Sequence, residues 1–157
     1  MARLPLEDEF RCLRAAYARG TTVEIQPKQP TAKGPAETFT GDVWFDVIAR
    51  GQAPSRLRVN LVRFTPGART AWHSHANGQT LHVVDGRGLA QARGGEIVEI
   101  RSGDTVYTPP GEWHWHGAAP DHLMAHLAMW DALAEGEQGP ETDWGAHVTD
   151  EEYSGRG

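Results

Sequence analysis

Two histidines and a glutamine in the middle of the chain have the types and the spacing of metal ligands. His73 and His75 are separated by one residue, so on a β-strand both imidazoles point to the same face. Gln79 begins the alternating run QTLHVV and can supply an amide oxygen from the next strand. These side chains predict part of a metal site, and the remaining ligand must come from further along the chain.

A third histidine with matching geometry lies in the segment 103–117, GDTVYTPPGEWHWHG. His114 follows a rigid Pro-Pro-Gly corner and begins a strand on which His116 faces the same way. If this strand lies beside the His-Ser-His strand, the following donors converge: His73, His75, Gln79 and His114. Three imidazoles and an amide oxygen suit a borderline divalent transition metal such as Mn, Fe, Co, Ni or Zn.

The composition excludes several classes of function. The chain has 157 residues, a formal net charge of −6 and no basic run, so we expect no nucleic-acid partner. No segment approaches the roughly 18 apolar residues of a spanning helix, and the acidic N-terminus is unlike a signal peptide, so we expect no membrane association. The single cysteine, Cys12, rules out an intramolecular disulfide and fits a reducing, cytoplasmic location.

Short alternating segments separated by turn residues predict an all-β domain. Roughly nine such strands, with turn signals about every 8–12 residues, are typical of a sandwich or barrel. Asp85-Gly86 and Gly94-Gly95 both have the composition of hairpin turns. The segment 123–130, LMAHLAMW, fits a last strand or, by propensity alone, a helix. We therefore expect an N-terminal helix or arm in residues 1–38, a single β-barrel domain in 39–130 and a C-terminal arm in 131–157.

The two histidine segments match the two-part signature of the cupins, G-x5-H-x-H-x3-E-x6-G followed by G-x5-P-x-G-x2-H. The first half is fitted by Gly67, His73, His75 and Gly86, with Gln79 at the glutamate position. The second half is fitted by Gly103, Pro109, Gly111 and His114. The resemblance covers residues 39–130, and it implies an all-β, single-domain jelly-roll barrel with one divalent metal at its centre.

The chain is similar in more detail to a bacterial group of single-domain cupins that use a glutamine ligand, some of which are manganese-dependent hydroxynitrile lyases. The supporting segments are KGPAETFTG, PGARTAWHSH, GQTL, HWHGAAP and the terminal HVTDEEY. The resemblance implies manganese as the first expectation, with Fe, Zn, Ni or Co as alternatives. It also implies cleavage of a cyanohydrin to an aldehyde and cyanide by metal Lewis-acid and histidine base catalysis.

Gln79 in place of the usual glutamate changes the charge of such a site. A carboxylate would lower the net charge of a divalent site to +1, whereas three histidines and one glutamine leave it at +2. The more positive metal is a stronger Lewis acid and a better host for cyanide or an alkoxide. We expect oxygen activation by Fe(II) to be less favourable, since a more positive site raises the redox potential of the metal.

Two further histidines are candidates for proton transfer. His116 has the strand parity of His114, and His126 lies on one face of the segment LMAHLAMW. A neutral imidazole near a bound substrate can accept a proton, because its unperturbed pKa is about 6.5. By resemblance to the lyases, we expect His126 as the base, with His116 orienting it or sharing the proton. Strand parity or the resemblance places six apolar side chains around the substrate: Val62, Phe64, Leu81, Val83, Met124 and Trp130.

The residues leave other functions open. A cupin dioxygenase or oxidase using Fe, Mn or Ni with oxygen is one alternative, and a non-enzymatic small-ligand or sensor cupin is another. We expect a small-molecule substrate, since Trp130 is bulky and narrows an apolar cavity. The arm-like β segments in residues 21–49 predict a homodimer or homotetramer, because single-domain cupins commonly pair by exchanging edge strands.

Overall fold

A computed structural model describes residues 23–156, which are almost entirely strands and the turns between them. The strands are β1 (Ala32–Lys33), β2 (Phe39–Thr40), β3 (Val43–Arg50), β4 (Leu57–Phe64), β5 (Arg69–Thr70), β6 (His73–His75), β7 (Gln79–Ala92), β8 (Val98–Arg101), β9 (Thr105–Thr108), β10 (His114–Ala118), β11 (Met124–Asp131) and β12 (Thr142–Trp144). A short helix, α1 (Asp150–Tyr153), follows β12. Most of the predicted N-terminal helix or arm, residues 1–38, lies outside the described residues, and the predicted domain boundaries stay a prediction.

The strands form a curled sheet in which β7 takes part in both halves. The strand order is β1-β3-β4-β11-β7-β10-β5-β2, while β6 pairs with β10 and β12, and β8 and β9 pair with β7. The first part of β7 pairs with β11, and its second part pairs with β10. The predicted all-β class is confirmed, and the segment 123–130 supplies a strand, β11, rather than a helix.

The predicted hairpin at Asp85-Gly86 is wrong, because β7 runs without interruption from Gln79 to Ala92. Gly86 has a φ of 80°, and a Cβ on it would overlap the Leu123 carbonyl. The partner strand β11 shifts its register at the same level. The glycine therefore bends a strand that passes from one half of the sheet to the other, instead of reversing the chain. The predicted turn at Gly94-Gly95 is confirmed between β7 and β8.

Inward-facing side chains of the two halves form one apolar core. Along β7, alternate residues are buried, beginning with Gln79, because successive side chains of a strand point to opposite faces. The buried core cluster consists of Val43, Val62, Phe64, Ala68, Leu81, Val83, Ala90, Ile100, Ala118, Met124 and Ala128. The same alternation that builds this core also points a set of polar side chains into the barrel: His73 and His75 of β6, Gln79 of β7, and His114 and His116 of β10.

The C-terminal segment folds back against the strands that carry the histidines. Strand β12 pairs with β6 along its whole length. Arg69, which is only 5% exposed, donates to the Val148 carbonyl at 2.9 and 3.1 Å and pairs with Asp150 at 2.7 Å. The Tyr153 hydroxyl donates to the Ala118 carbonyl at 2.7 Å. These bonds fix the C-terminal segment against the back of the barrel.

The stretch before β1 has no regular secondary structure and exposes apolar side chains. Val23 and Ile25 are fully exposed in the single chain, so they are groups that a second copy could cover. The expected homodimer or homotetramer nevertheless stays a prediction. Within residues 23–156, no helix is long and apolar enough to cross a membrane.

Candidate metal centre

Two neighbouring strands and the start of β7 bring the predicted metal ligands together. His114 of β10 is the direct pairing partner of His73 in β6. Their ring centroids are 4.2 Å apart, and the His75 ring lies 5.3 Å from His73 and 6.0 Å from His114. The Gln79 Oε1 atom lies 2.9 Å from His114 Nε2, and all four side chains are buried. The structure therefore places the four predicted ligands in one buried cluster.

Backbone carbonyls fix the protonation of two of these histidines. Nδ1 of His73 lies 3.0 Å from the Ala71 carbonyl, and Nδ1 of His114 lies 3.0 Å from the Glu112 carbonyl. A carbonyl oxygen can only accept, so both Nδ1 atoms carry the proton. Both Nε2 atoms consequently keep a lone pair that faces the cluster.

The tautomer of His75 is set by a side chain instead of a backbone carbonyl. Its Nδ1 lies 3.1 Å from Thr142 Oγ1, while its Nε2 is buried without a hydrogen-bond partner. A proton on Nε2 would be a buried donor without an acceptor, which costs about 1–3 kcal/mol. The favoured tautomer therefore donates from Nδ1 to Thr142 and leaves an Nε2 lone pair.

The Gln79 amide oxygen and the His114 Nε2 lone pair face each other at 2.9 Å. Two acceptors this close repel each other, and the contact becomes favourable when the Gln79 amide turns its NH2 group toward His114 or when a proton or a cation lies between the two atoms. Burial lowers the pKa of His114, so the proton is disfavoured. A divalent cation would be coordinated by both atoms. This donor set therefore fits a borderline transition metal.

His116 and His126 lie beside this cluster as a pair. His126 Nε2 is 3.2 Å from His116 Nδ1, and the other nitrogen of each ring is buried without a partner. The His116 ring lies 5.1 Å from His73, whereas the His126 ring packs 5.4 Å from Phe64. The structure thus brings together the two histidines predicted for proton transfer, with His116 on the side of the metal ligands.

A second combination of histidines also has ligand geometry. Nitrogens of His73, His114 and His116 lie within 4.8 Å of one another, so this three-histidine group could hold a metal ion. The sequence predicted His116 as a proton carrier and predicted His75 and Gln79 as the further ligands. Which of these atoms bind the metal stays a prediction.

Comparison with known proteins identifies the family. The cupin domain family matches residues 60–130 of the chain. The (R)-mandelonitrile lyase of Granulicella tundricola is 50% identical over 125 residues, which are 80% of this chain and 92% of that protein. This chain is a cupin.

A solved structure shows the same fold, and a second sequence relative carries a different activity in its name. A solved cupin-like protein from Thermotoga maritima has 38% sequence identity and a TM-score of 0.72, and the match covers 85% of this chain and 97% of that chain. A gentisate 1,2 dioxygenase from Aquipseudomonas alcaligenes is 37% identical over 68 residues, which are 43% of this chain and only 20% of that protein. The family and the barrel predicted from the sequence are therefore confirmed.

Burial keeps the five clustered histidines of this cupin uncharged. It lowers the pKa of His75 to about 4, with a smaller contribution from His114, and it lowers the pKa of His126 to about 4. The pKa values of His73 and His116 are held well below the usual range, first by burial and then by neighbouring histidines. At neutral pH the rings are free bases, which is the form that binds metals and accepts protons.

The six residues predicted to surround the substrate lie on the inner face of the barrel. Five are core residues and the sixth packs against them: Val62, Phe64, Leu81, Val83, Met124 and Trp130. Trp130 also borders a cavity of 330 Å³, and Leu81 borders a cavity of 250 Å³ beside His114. Contact of these side chains with a substrate stays a prediction.

Three residues of the C-terminal segment touch the site and were missed by sequence reasoning. Thr142 bonds to His75, Trp144 stacks on His73 with ring centroids 4.7 Å apart, and Glu141 accepts from Trp130 at 3.1 Å. All three lie beyond residue 130, where the match to the family ends. The available sequence signal is indirect, because HVTDEEY contains α1 and anchors this segment.

The stability of the metal-free protein should fall in mild acid. His75 and His126 have folded pKa values of about 4, so between pH 4 and about 6.5 the unfolded chain binds more protons. Their contribution is complete above pH 6.5 and is lost as the pH falls toward 4, by roughly 2 kcal/mol per histidine at pH 5. Urea denaturation in EDTA at pH 8, 6.5 and 5 measures this loss, and His126→Gln should reduce it. A free energy of unfolding that is equal at pH 8 and pH 5 would contradict the assignment.

Thr142 should determine the metal affinity of His75. Thr142→Val keeps the shape but removes the acceptor, so His75 loses the bond that fixes its tautomer. We expect roughly 10- to 100-fold weaker metal binding by calorimetry. A ¹⁵N spectrum of the metal-free variant should also show more of the tautomer with the proton on Nε2.

Thr142→Ser, which retains the hydroxyl, is the matched control and should behave like wild type in both measurements. Equal affinity and an unchanged tautomer in the valine variant would show that Thr142 has no positioning role.

Proposed function

We propose that this cupin is a metal-dependent hydroxynitrile lyase, which cleaves a small 2-hydroxynitrile to an aldehyde and cyanide. The observation that carries the proposal is the 50% identity to an (R)-mandelonitrile lyase over 92% of that protein. A match of this extent includes both histidine segments and the strands between them, whereas the dioxygenase match covers only a fifth of its relative.

The metal would be held by Nε2 of three histidines and by the amide oxygen: His73, His75, His114 and Gln79. Manganese is the first expectation, with Fe, Zn, Ni or Co as alternatives. When bound, the metal supplies Lewis-acid polarisation of the hydroxyl or nitrile of the substrate. The uncharged donor set supports this assignment, because it leaves the full charge of a divalent ion available to a developing alkoxide or cyanide.

The His116–His126 pair would take the hydroxyl proton. When His116 Nδ1 donates to His126 Nε2, the His116 Nε2 lone pair faces the ligand cluster. As this nitrogen accepts the proton, the carbonyl double bond forms, the bond between the two carbons breaks, and its electron pair leaves with cyanide. His126 then stabilises the charged His116 ring across their 3.2 Å contact. This division of roles reverses the one implied by the family resemblance, in which His126 is the base.

A dioxygenase is the second candidate, and it rests on the partial identity to a gentisate 1,2 dioxygenase. The group of His73, His114 and His116 could hold iron for such chemistry. It requires oxygen uptake, which the lyase reaction does not, so an oxygen electrode separates the two functions. Binding of small ligands without turnover would instead indicate a sensor.

The manganese-loaded protein should release cyanide from mandelonitrile or from the smaller 2-hydroxypropanenitrile. His116→Ala and His126→Ala should each lower kcat by roughly 10²- to 10⁴-fold, because each removes half of the proton-accepting pair, while metal content stays the same. His82→Ala is the matched control, since His82 faces away from the barrel and bonds to Thr105. Inactivity with Mn, Fe, Co, Ni and Zn on both nitriles, or oxygen uptake with gentisate, would overturn the proposal.

A further inference from the structure

A cavity of 330 Å³ lies at the end of the barrel nearest to His75. Its apolar wall includes Phe45 and Val47 of β3, and its polar wall includes Arg58 and Asn60 of β4. The volume is at the lower limit of small-molecule pockets. None of the four predicted metal ligands borders this cavity, so another side chain must lie between the cavity and the metal cluster.

Trp130 is the residue that separates the cavity from the metal cluster. Its side chain lines the cavity on one side, and its ring lies 5.5 Å from the His75 ring on the other. It also lines a neighbouring cavity of 180 Å³ together with Gln79. A substrate substituent that extends from the metal toward the 330 Å³ cavity therefore meets the indole, which also forms part of the wall of the 180 Å³ cavity.

Packed side chains fill two other directions around the metal cluster. Phe64 lies 6.0 Å from the His116 ring and 5.4 Å from the His126 ring. Trp144 stacks on His73 from the C-terminal segment. Differences in substituent size should therefore be felt on the side of His75 that faces Trp130, with the 250 Å³ cavity beside His114 as the other open direction.

The indole is held in place by a charged clamp. Trp130 Nε1 donates to Glu141 Oε2 at 3.1 Å, and Arg58 Nη2 donates to Glu141 Oε1 at 3.2 Å. The Glu141 backbone is fixed as well, because its carbonyl accepts from the Ala76 amide at 3.1 Å. Bonds to a partly buried carboxylate are stronger than neutral ones, so the indole is restrained and not merely packed.

We propose that Trp130, clamped by Glu141 and Arg58, is the specificity-determining residue of the site. It restricts the substituent of the hydroxynitrile to a short aliphatic chain, because an aryl ring needs the space that the indole occupies. The preferred substrates are then small aliphatic 2-hydroxynitriles. This inference rests on the proposed function, and it adds the substrate class.

The test compares kcat/KM for mandelonitrile and for 2-hydroxypropanenitrile in wild type and in Trp130→Ala. The ratio of the two values should rise by roughly tenfold or more in the alanine variant, which is the scale at which a pocket discriminates by size. Trp130→Phe keeps most of the ring and should change the ratio by less than about threefold. Glu141→Ala removes the carboxylate that holds the indole and should raise the ratio while Trp130 is still present. If Trp130→Ala does not fold, this variant replaces it in the test.

A binding measurement separates this inference from the lyase proposal. Calorimetry with acetate and benzoate on the manganese-loaded protein uses metal-binding carboxylates of two sizes. Wild type should bind acetate more tightly than benzoate, and Trp130→Ala should lose this preference. If neither nitrile is cleaved but the carboxylate preference depends on Trp130, the lyase proposal fails and the specificity role stands.

If Trp130→Ala and Glu141→Ala leave both the nitrile ratio and the carboxylate preference unchanged, the inference is overturned. The substituent would then lie elsewhere, with the 250 Å³ cavity beside His114 as the first alternative.

Discussion

The barrel interior holds a buried cluster of uncharged nitrogen and oxygen donors that lie close to one another. The Gln79 oxygen faces the His114 Nε2 lone pair at 2.9 Å, and His75 Nε2 is buried without a hydrogen bond. Burial keeps the rings neutral, so protons do not relieve this arrangement at neutral pH. A divalent cation would relieve it, since these atoms could all give electron pairs to one metal ion. The surrounding strands supply the geometry that keeps the donors directed at one point.

The local sequence predicts the parts of this site that depend on strand parity. His73 and His75 share a face because they are separated by one residue, and the corner before His114 sets the start of its strand. Local sequence is misleading at Asp85-Gly86, because these residues have the composition of a turn but lie within a continuous, bent strand. Whether a glycine reverses a strand or bends it depends on what packs above it, and that information lies elsewhere in the chain.

The contacts of the C-terminal segment could not be predicted for a related reason. Thr142 bonds to His75 across 67 positions of sequence, and Glu141 reaches Trp130 only because β12 pairs with β6. No periodicity links segments so far apart. The barrel and the C-terminal segment therefore have different roles at the site. The barrel fixes the donor atoms, and the segment beyond residue 130 fixes the tautomer of His75 and restrains the tryptophan beside it.

Metal analysis tests most directly whether Gln79 and the three histidines hold one metal ion. Mass spectrometry of purified wild type should find about one divalent transition-metal ion per chain, and Gln79→Ala should retain much less after dialysis against a weak chelator. Wild type that binds no such metal when it is supplied, or a Gln79→Ala variant that retains the full amount, would contradict the account.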